Sequence, residues 1–477
     1  MKRLVRPVNL LLLGLLVGVG VGVLLERSWA ARRTRAVTTA QVFQDVLAAI
    51  REGYVDSLTD EELYAKAAKG VVSTLGDPYS AFLGPAEYGR YRALLRGRGR
   101  SVGVQLTGGL TGLHVAAVAP RSPGDRVGMK PGDYLLAINN QPAAALPAEQ
   151  AAAMFRNGVD SVRVRFRSPG DSVEVEVAIL PIESHLSAAA APVKLTDSIG
   201  YLALGSVSTQ ASRELDEALR RIKADRLAGL VLDLRGNGGG PLEEAIAIAD
   251  LFLAPGQRIG AMSQRRSRWA TYIASERNSY PSLELVILVD RRTASSAEII
   301  AAALRGNNRA TLVGERTFGK GLVQTTIPLG DSAALRLTTG RWQGPGGRLI
   351  TGGIGPDSTV VVAPQEALLR RALQRQPEAF AAALEAVLRG VDSSRVGGPA
   401  LDSLVLTSTE RDHLRGALRP AGITLSRRMM ARHQGLFDRE LRRLAALIAG
   451  DRERASRYDL LGDPVVAAGL ARVGRGR

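Results

Sequence analysis

Ser295 and Lys320 are the two residues of this chain whose types and spacing could build a nucleophile and its base. Ser295 follows the apolar run Leu285-Val-Ile-Leu-Val289 and stands before Ala297–Leu304, a helix-like stretch; Lys320 comes 25 residues later, and Gln324 four residues after that. The chain has no cysteine, and its four histidines, His114, His185, His413 and His433, all lie outside this stretch. Lysine is also rare, with 7 lysines against 56 arginines. A guanidinium keeps its proton, whereas a desolvated lysine can become a neutral base.

Other chemistry fits these residues less well. Ser295-x-x-Glu298 before an apolar run is also a capping box, and such a helix start offers free N–H groups to a developing oxyanion. Cap and nucleophile are compatible roles. Gly314 to Lys320 spells most of a Walker A loop, but position 321 is Gly, not Ser or Thr, and a strand-like stretch follows. Without the hydroxyl for magnesium and the helix for phosphate, nucleotide binding is rejected. Leu232-Asp-Leu-Arg-Gly-Asn-Gly-Gly-Gly240 reads as a buried strand running into a glycine loop, where backbone N–H groups can approach a ligand closely. Asp233 reads as an anchor of that loop. The histidines lack ligand spacing with the acids, so no metal and no other cofactor is expected.

The elements that must position these residues are legible from pattern. At 477 residues, 45% apolar and 23% charged, the chain is globular and long enough for several domains. The net charge of +17 comes from dispersed arginines, and only 4% of residues are aromatic, so no nucleic-acid partner is expected. Residues 8–25 carry no charge and follow Lys2, Arg3 and Arg6. As a helix they would span about 27 Å, enough for a membrane anchor, while Ser28-Trp-Ala30 fits a signal-cleavage site. Either reading places the remainder outside the cytoplasm. Helical patterns cover Thr39 to Ile50, Thr59 to Leu75 and Pro85 to Leu95; from Val102 the period becomes two. Val162, Val164 and Phe166 alternate with arginines and face a second strand carrying Glu174 and Glu176, as a half-buried hairpin should. From Ile199 to Val362 strands alternate with helices, which implies α/β layering. Arg-rich helical segments follow at Pro364–Arg389, Thr407–Arg419 and Leu436–Ala449. The fold class expected is multidomain α/β: residues 1–30 a signal or anchor, 36–97 helical, 98–182 β-rich, 183–365 an α/β core, and 366–477 a helical extension.

Taken in order, these segments resemble the C-terminal processing peptidases, or tail-specific proteases. The resemblance rests on Tyr54-Val-Asp56, Leu75-Gly-Asp-Pro-Tyr-Ser80, Gly128-Met-Lys-Pro-Gly-Asp133, Leu232 to Gly240, Thr293-Ala-Ser-Ser-Ala-Glu298, Phe318-Gly-Lys-Gly-Leu-Val-Gln324, Leu337-Thr-Thr-Gly-Arg-Trp342 and Gly355-Pro-Asp357. It implies that 98–182 is a PDZ domain inserted before a serine protease core, with Ser295 as nucleophile, Lys320 as base and Gln324 as orienting partner. The oxyanion donors would be the N–H groups of Gly239 and Ser296. The family's Ser-Ala-Ser-Glu order is Ser295-Ser296-Ala297-Glu298 here, which makes Ser296 a rival nucleophile. The first PDZ strand, from Ser101 through Val102, Gly103 and Val104 to Leu106, would bind the peptide. The resemblance further implies substrates that are proteins with apolar C-termini, in the cell envelope. A membrane would be met through residues 8–25, and the C-terminal helices are the candidate surface for self-association or a regulator. The alternative is a catalytically idle PDZ adaptor of the same fold.

Overall fold

The computed structural model describes residues 39–474 apart from 158–159, 266 and 276–278. The apolar run at 8–25 lies outside the described residues. Among the described residues no helix is long and apolar enough to cross a membrane.

Two compact units result. In the first, formed by the described residues up to Pro85 together with Thr326–Leu337, Thr59 and Glu62 cap the helix Asp60–Ser73 reciprocally. The Glu62 carboxylate takes the Thr59 N–H at 2.9 Å and the Thr59 hydroxyl takes the Glu62 N–H at 3.2 Å. The strand Ala81–Leu83 pairs antiparallel with Ala334–Arg336. That pairing joins segments far apart in sequence, so no local pattern announces it.

The second unit contains Ala86–Thr325 and Thr338–Arg477. Its β-rich module is an antiparallel sheet in the order Val104–Gly109, Gly112–Val118, Tyr134–Ile138, Val162–Arg167, Val175–Ile179. Val104, Val115, Leu135, Val164 and Phe166 pack with Ala151 and Phe155 of the helix Ala148–Asn157 into one core. On the solvent side, Arg163 and Arg165 pair with Glu176 and Glu174, as the alternation predicts. The continuous strand expected from Ser101 to Leu106 is broken in two. Arg98–Ser101 pairs with Ile182–His185, and a new edge strand starts at Val104. Gly103 makes the break at φ +76°, where a Cβ would lie 2.1 Å from Ser122 Cβ, and its N–H donates to the Ser101 hydroxyl.

The α/β core is a sheet in the order Val193–Lys194, Ile199–Ala203, Gly229–Asp233, Glu284–Val289, Ala310–Gly314, Ser358–Thr359, parallel except at its first pair. The interiors of its central strands, Leu230–Leu232 and Leu285–Val289, are apolar on both sides because both faces are covered. Leu230, Leu232, Leu285, Ile287 and Val289 face the helices Ala211–Arg221, Leu242–Asp250 and Ser296–Gly306. Val231, Val286, Leu288 and Val313 face Val466 of the last helix, Pro464–Leu470.

That last helix and its predecessor, Arg452–Gly462, fall within the expected helical extension, although no pattern in the sequence delimits either one. The stretch expected as one helix over 364–389 is two, Pro364–Arg375 and Pro377–Arg389. Pro377 lacks the N–H that would continue the ladder and keeps Gln376 out of helical geometry. Together the C-terminal helices form a core of their own, around Leu373, Phe380, Leu384, Leu414, Phe437 and Leu444, which also takes in Leu110 of the β-rich module. The two modules are joined by polar pairs. Arg167 meets Glu385 at 3.2 Å, the buried Arg443, paired with Glu440 of its own helix, reaches Thr111, and His114 meets Asp459 at 3.5 Å. Burial disfavours an ionised Asp459, but His114 beside it holds the carboxyl below its usual range.

Phe437 is fully buried and lies edge-on to Phe380, with ring centres 6.2 Å apart. Phe437→Ala is expected to cost about 3–5 kcal/mol, read as a lowered midpoint in thermal or denaturant unfolding.

Candidate active site

The three segments singled out in the sequence all leave the carboxyl ends of neighbouring parallel strands, where open α/β sheets place their ligands. Gly229–Asp233 runs into the glycine loop, Glu284–Val289 into the serine loop, and Ala310–Gly314 into the lysine loop.

Ser295 stands at the N-cap of the helix Ser296–Gly306 with φ +56° and ψ −121°. A non-glycine residue rarely holds such a φ, so the surroundings must enforce it. Glu298 supplies much of that enforcement. Its carboxylate has no solvent exposure and accepts four hydrogen bonds. Oε2 takes the N–H groups of Ser295 and Lys320, both at 2.9 Å, while Oε1 takes the Gly319 N–H at 2.7 Å and the Thr317 hydroxyl at 2.5 Å. One oxygen thus holds the backbones of the serine and the lysine together. Thr317 continues the link by accepting the Ile354 N–H at 2.7 Å, and the Phe318 N–H donates to the Thr293 carbonyl at 3.0 Å.

The glycine loop closes on the serine from the other side. Asn237, fully buried, accepts the Ala294 N–H on its carbonyl at 2.9 Å and donates its side-chain amide to the Leu204 carbonyl at 2.8 Å. Gly239 holds φ +89°, and a Cβ there would stand 2.8 Å from the Ser296 nitrogen and 3.0 Å from Ser295 Cβ. Only glycine permits that approach. The Gly239 N–H donates to Asn237 Oδ1 at 2.9 Å.

The two adjacent serines have different surroundings. Ser296 is buried and its hydroxyl donates to the Gly240 carbonyl at 2.6 Å; Ser295 is half-buried. Lys320 is half-buried as well. No helix follows it: the chain enters the strand Leu322–Leu329, as the rejection of a Walker loop requires. Gln324 lies on that strand and donates its amide to Thr338 Oγ1 at 3.2 Å. Asp233 anchors its loop, accepting the Tyr201 hydroxyl at 2.8 Å and the Arg235 N–H at 2.9 Å. Burial, then the Asp233 charge, raises the Tyr201 phenol well above its usual range. The candidate peptide-binding residues lie apart from this cluster in the β-rich module. Val104 opens its edge strand, and Ser101 and Val102 are buried. The helix beside that edge reaches the site, since Glu149 pairs with Arg292 of the serine loop.

Sequence reasoning saw Glu298 as a helix cap only and missed Asn237 and Thr317. The capping spacing was the available signal for Glu298, but its partners at 317–320 depend on the fold.

Residues 198–360 match peptidase family S41, and residues 114–167 match a PDZ domain. A carboxyl-terminal-processing protease of Synechocystis is 33% identical over 303 residues, covering 62% of this chain and 70% of the relative. The chain belongs to the S41 carboxyl-terminal processing proteases. This serine-type peptidase is also 29% identical to a carboxy-terminal-processing protease of Bartonella bacilliformis, over 67% of this chain and 74% of the relative. Among solved structures, a photosystem II D1 C-terminal processing protease aligns over 70% of this chain and 92% of its own, at 23% identity and a TM-score of 0.42.

Glu298→Gln is the sharpest test of the clamp, because the amide presents N–H groups to donors that need an acceptor. It should lower stability by about 3 kcal/mol and the specificity constant at least about tenfold. Unfolding midpoints and peptide-cleavage kinetics read the two effects separately.

Proposed function

We propose that Ser295 and Lys320 form the catalytic dyad of this protease, with Gln324 orienting the lysine. The observation that carries this reading is the shared Glu298 oxygen, which supports a serine and a lysine held together in a fixed geometry. The engaged Ser296 hydroxyl leaves Ser295 as the better nucleophile. To act as base the Lys320 amine must be neutral, which burial favours. It takes the serine proton as Oγ attacks a peptide carbonyl, and returns that proton to the leaving amine. The oxyanion is held by the N–H groups of Gly239 and Ser296. For this the Gly239 N–H exchanges Asn237 Oδ1 for a charged acceptor, to which a hydrogen bond is roughly twice as strong.

The PDZ domain, in this reading, spans 98–182 and receives the substrate's C-terminus. The edge strand from Val104 pairs with an extended apolar tail while the backbone at Ser101–Val104 binds its carboxylate. The pairing of Glu149 with Arg292 supports a short path from that groove to the serine loop. The protease core spans 183–365. Residues 8–25 act as anchor or signal and place the enzyme in the cell envelope, against exported proteins. The helices of 366–477 offer a surface for self-association or a regulator.

Ser295→Ala and Lys320→Arg should each abolish cleavage of an unfolded substrate, by at least about a thousandfold in kcat, with unchanged unfolding midpoints. A metal chelator should leave the wild type active. Product mass spectrometry reads all three; turnover in either variant would contradict the dyad, and peptide binding without turnover in the wild type would favour the adaptor.

A further inference from the structure

Arg235 lies one residue before the glycine loop, and its guanidinium is gripped from two sides. Asp233 takes Nη2 at 2.6 Å and Nε at 3.0 Å, and Asp463 takes Nη1 at 2.8 Å through Oδ2. The neighbouring backbone is equally fixed, since the Gly236 N–H donates to Asp290 Oδ1 at 2.9 Å. Asp233 is buried and also serves the Tyr201 hydroxyl and the Arg235 N–H. Asp463 comes from the far end of the chain, 228 residues away. Its other oxygen, Oδ1, caps the helix Pro464–Leu470 by accepting the Val465 N–H at 2.7 Å and the Val466 N–H at 3.3 Å. Val466 is fully buried against Val231, Val286 and Leu288 of the parallel sheet. The position of Asp463 is therefore set by the sheet whose strand ends carry the site.

We propose that Asp463 is a positioning residue for peptide cleavage: it fixes Arg235 and, through it, the glycine loop that faces Ser295. This rests on the glycine loop serving as the oxyanion site. It gives the C-terminal helical region a part in the chemistry, although it contributes no reacting group. The two carboxylate oxygens have separate tasks, one capping a helix and one holding Arg235, and so the two can be separated by substitution.

Asp463→Asn keeps an acceptor for the cap, and Asn caps helices as well as Asp does, but it turns an amide N–H group or a neutral oxygen toward the guanidinium. Asp463→Ser keeps the cap and cannot reach Arg235. Both should lower kcat about tenfold with KM within about twofold of wild type, the pattern of a contact that matters only in the transition state. Midpoints of unfolding should stay within about 2 °C. Phe437→Ala, which loosens the separate core of the C-terminal helices without touching Asp463 or Arg235, should lower the midpoint and keep kcat at temperatures where it is folded. In an Arg235→Gln background, Asp463→Asn should add no further loss, because both act along one path. A wild-type kcat in Asp463→Asn, losses that follow the midpoint across all three variants, or additive losses in the double variant would each overturn the proposal. Ser295→Ala measured in parallel separates the two readings: cleavage by that variant defeats the dyad itself, whatever Asp463 does.

Discussion

The Glu298 carboxylate is removed from solvent and held by four donors drawn from two loops: the N–H groups of Ser295, Gly319 and Lys320, and the Thr317 hydroxyl. A buried carboxylate tolerates that position only when its lone pairs are satisfied, and these four donors satisfy them. The same condition acts in reverse on the loops. Gly319, Lys320 and Thr317 have this partner only while the serine loop and its helix stay in place, and Glu298 is fully satisfied only while the lysine loop does, so the two loops hold each other. The unusual backbone of Ser295, at φ +56°, is maintained by this mutual constraint and by Asn237 on the opposite side.

Around that clamp the fold supplies three strand ends and two covers. The parallel sheet brings the glycine, serine and lysine loops to one edge, and both faces of its central strands are covered. One face is covered by the helices that intervene between the strands, the other by the C-terminal helix through Val466. The C-terminal region also grips the PDZ sheet through Glu385, Arg443 and Asp459. It therefore contacts both the module that we propose receives the substrate and the core that cuts it.

Much of this was legible before any coordinates. The alternation of Val162, Val164 and Phe166 with arginines gave the PDZ hairpin, and apolar runs such as Leu285–Val289 gave the parallel sheet. The missing hydroxyl at Gly321 removed the phosphate-binding reading. What escaped was non-local. The bond of Glu298 to Lys320 spans 22 residues and that of Asp463 to Arg235 spans 228, and neither leaves a periodic trace. Gly103 hid differently, since one residue at positive φ broke a strand whose side chains still alternate. Within the expected helical extension, the bounds of Arg452–Gly462 and Pro464–Leu470 were masked by arginines on the first and by the shortness of the second.

The central claim, that the Glu298 clamp holds Ser295 as the activated nucleophile, is tested most directly by labelling with a fluorophosphonate. The reagent phosphonylates an activated serine with loss of fluoride, and peptide mapping by mass spectrometry locates the adduct. The account predicts a single adduct on Ser295 that forms at least about tenfold more slowly in Glu298→Gln. An adduct on Ser296, or labelling of Ser295 at the same rate in both proteins, would contradict it.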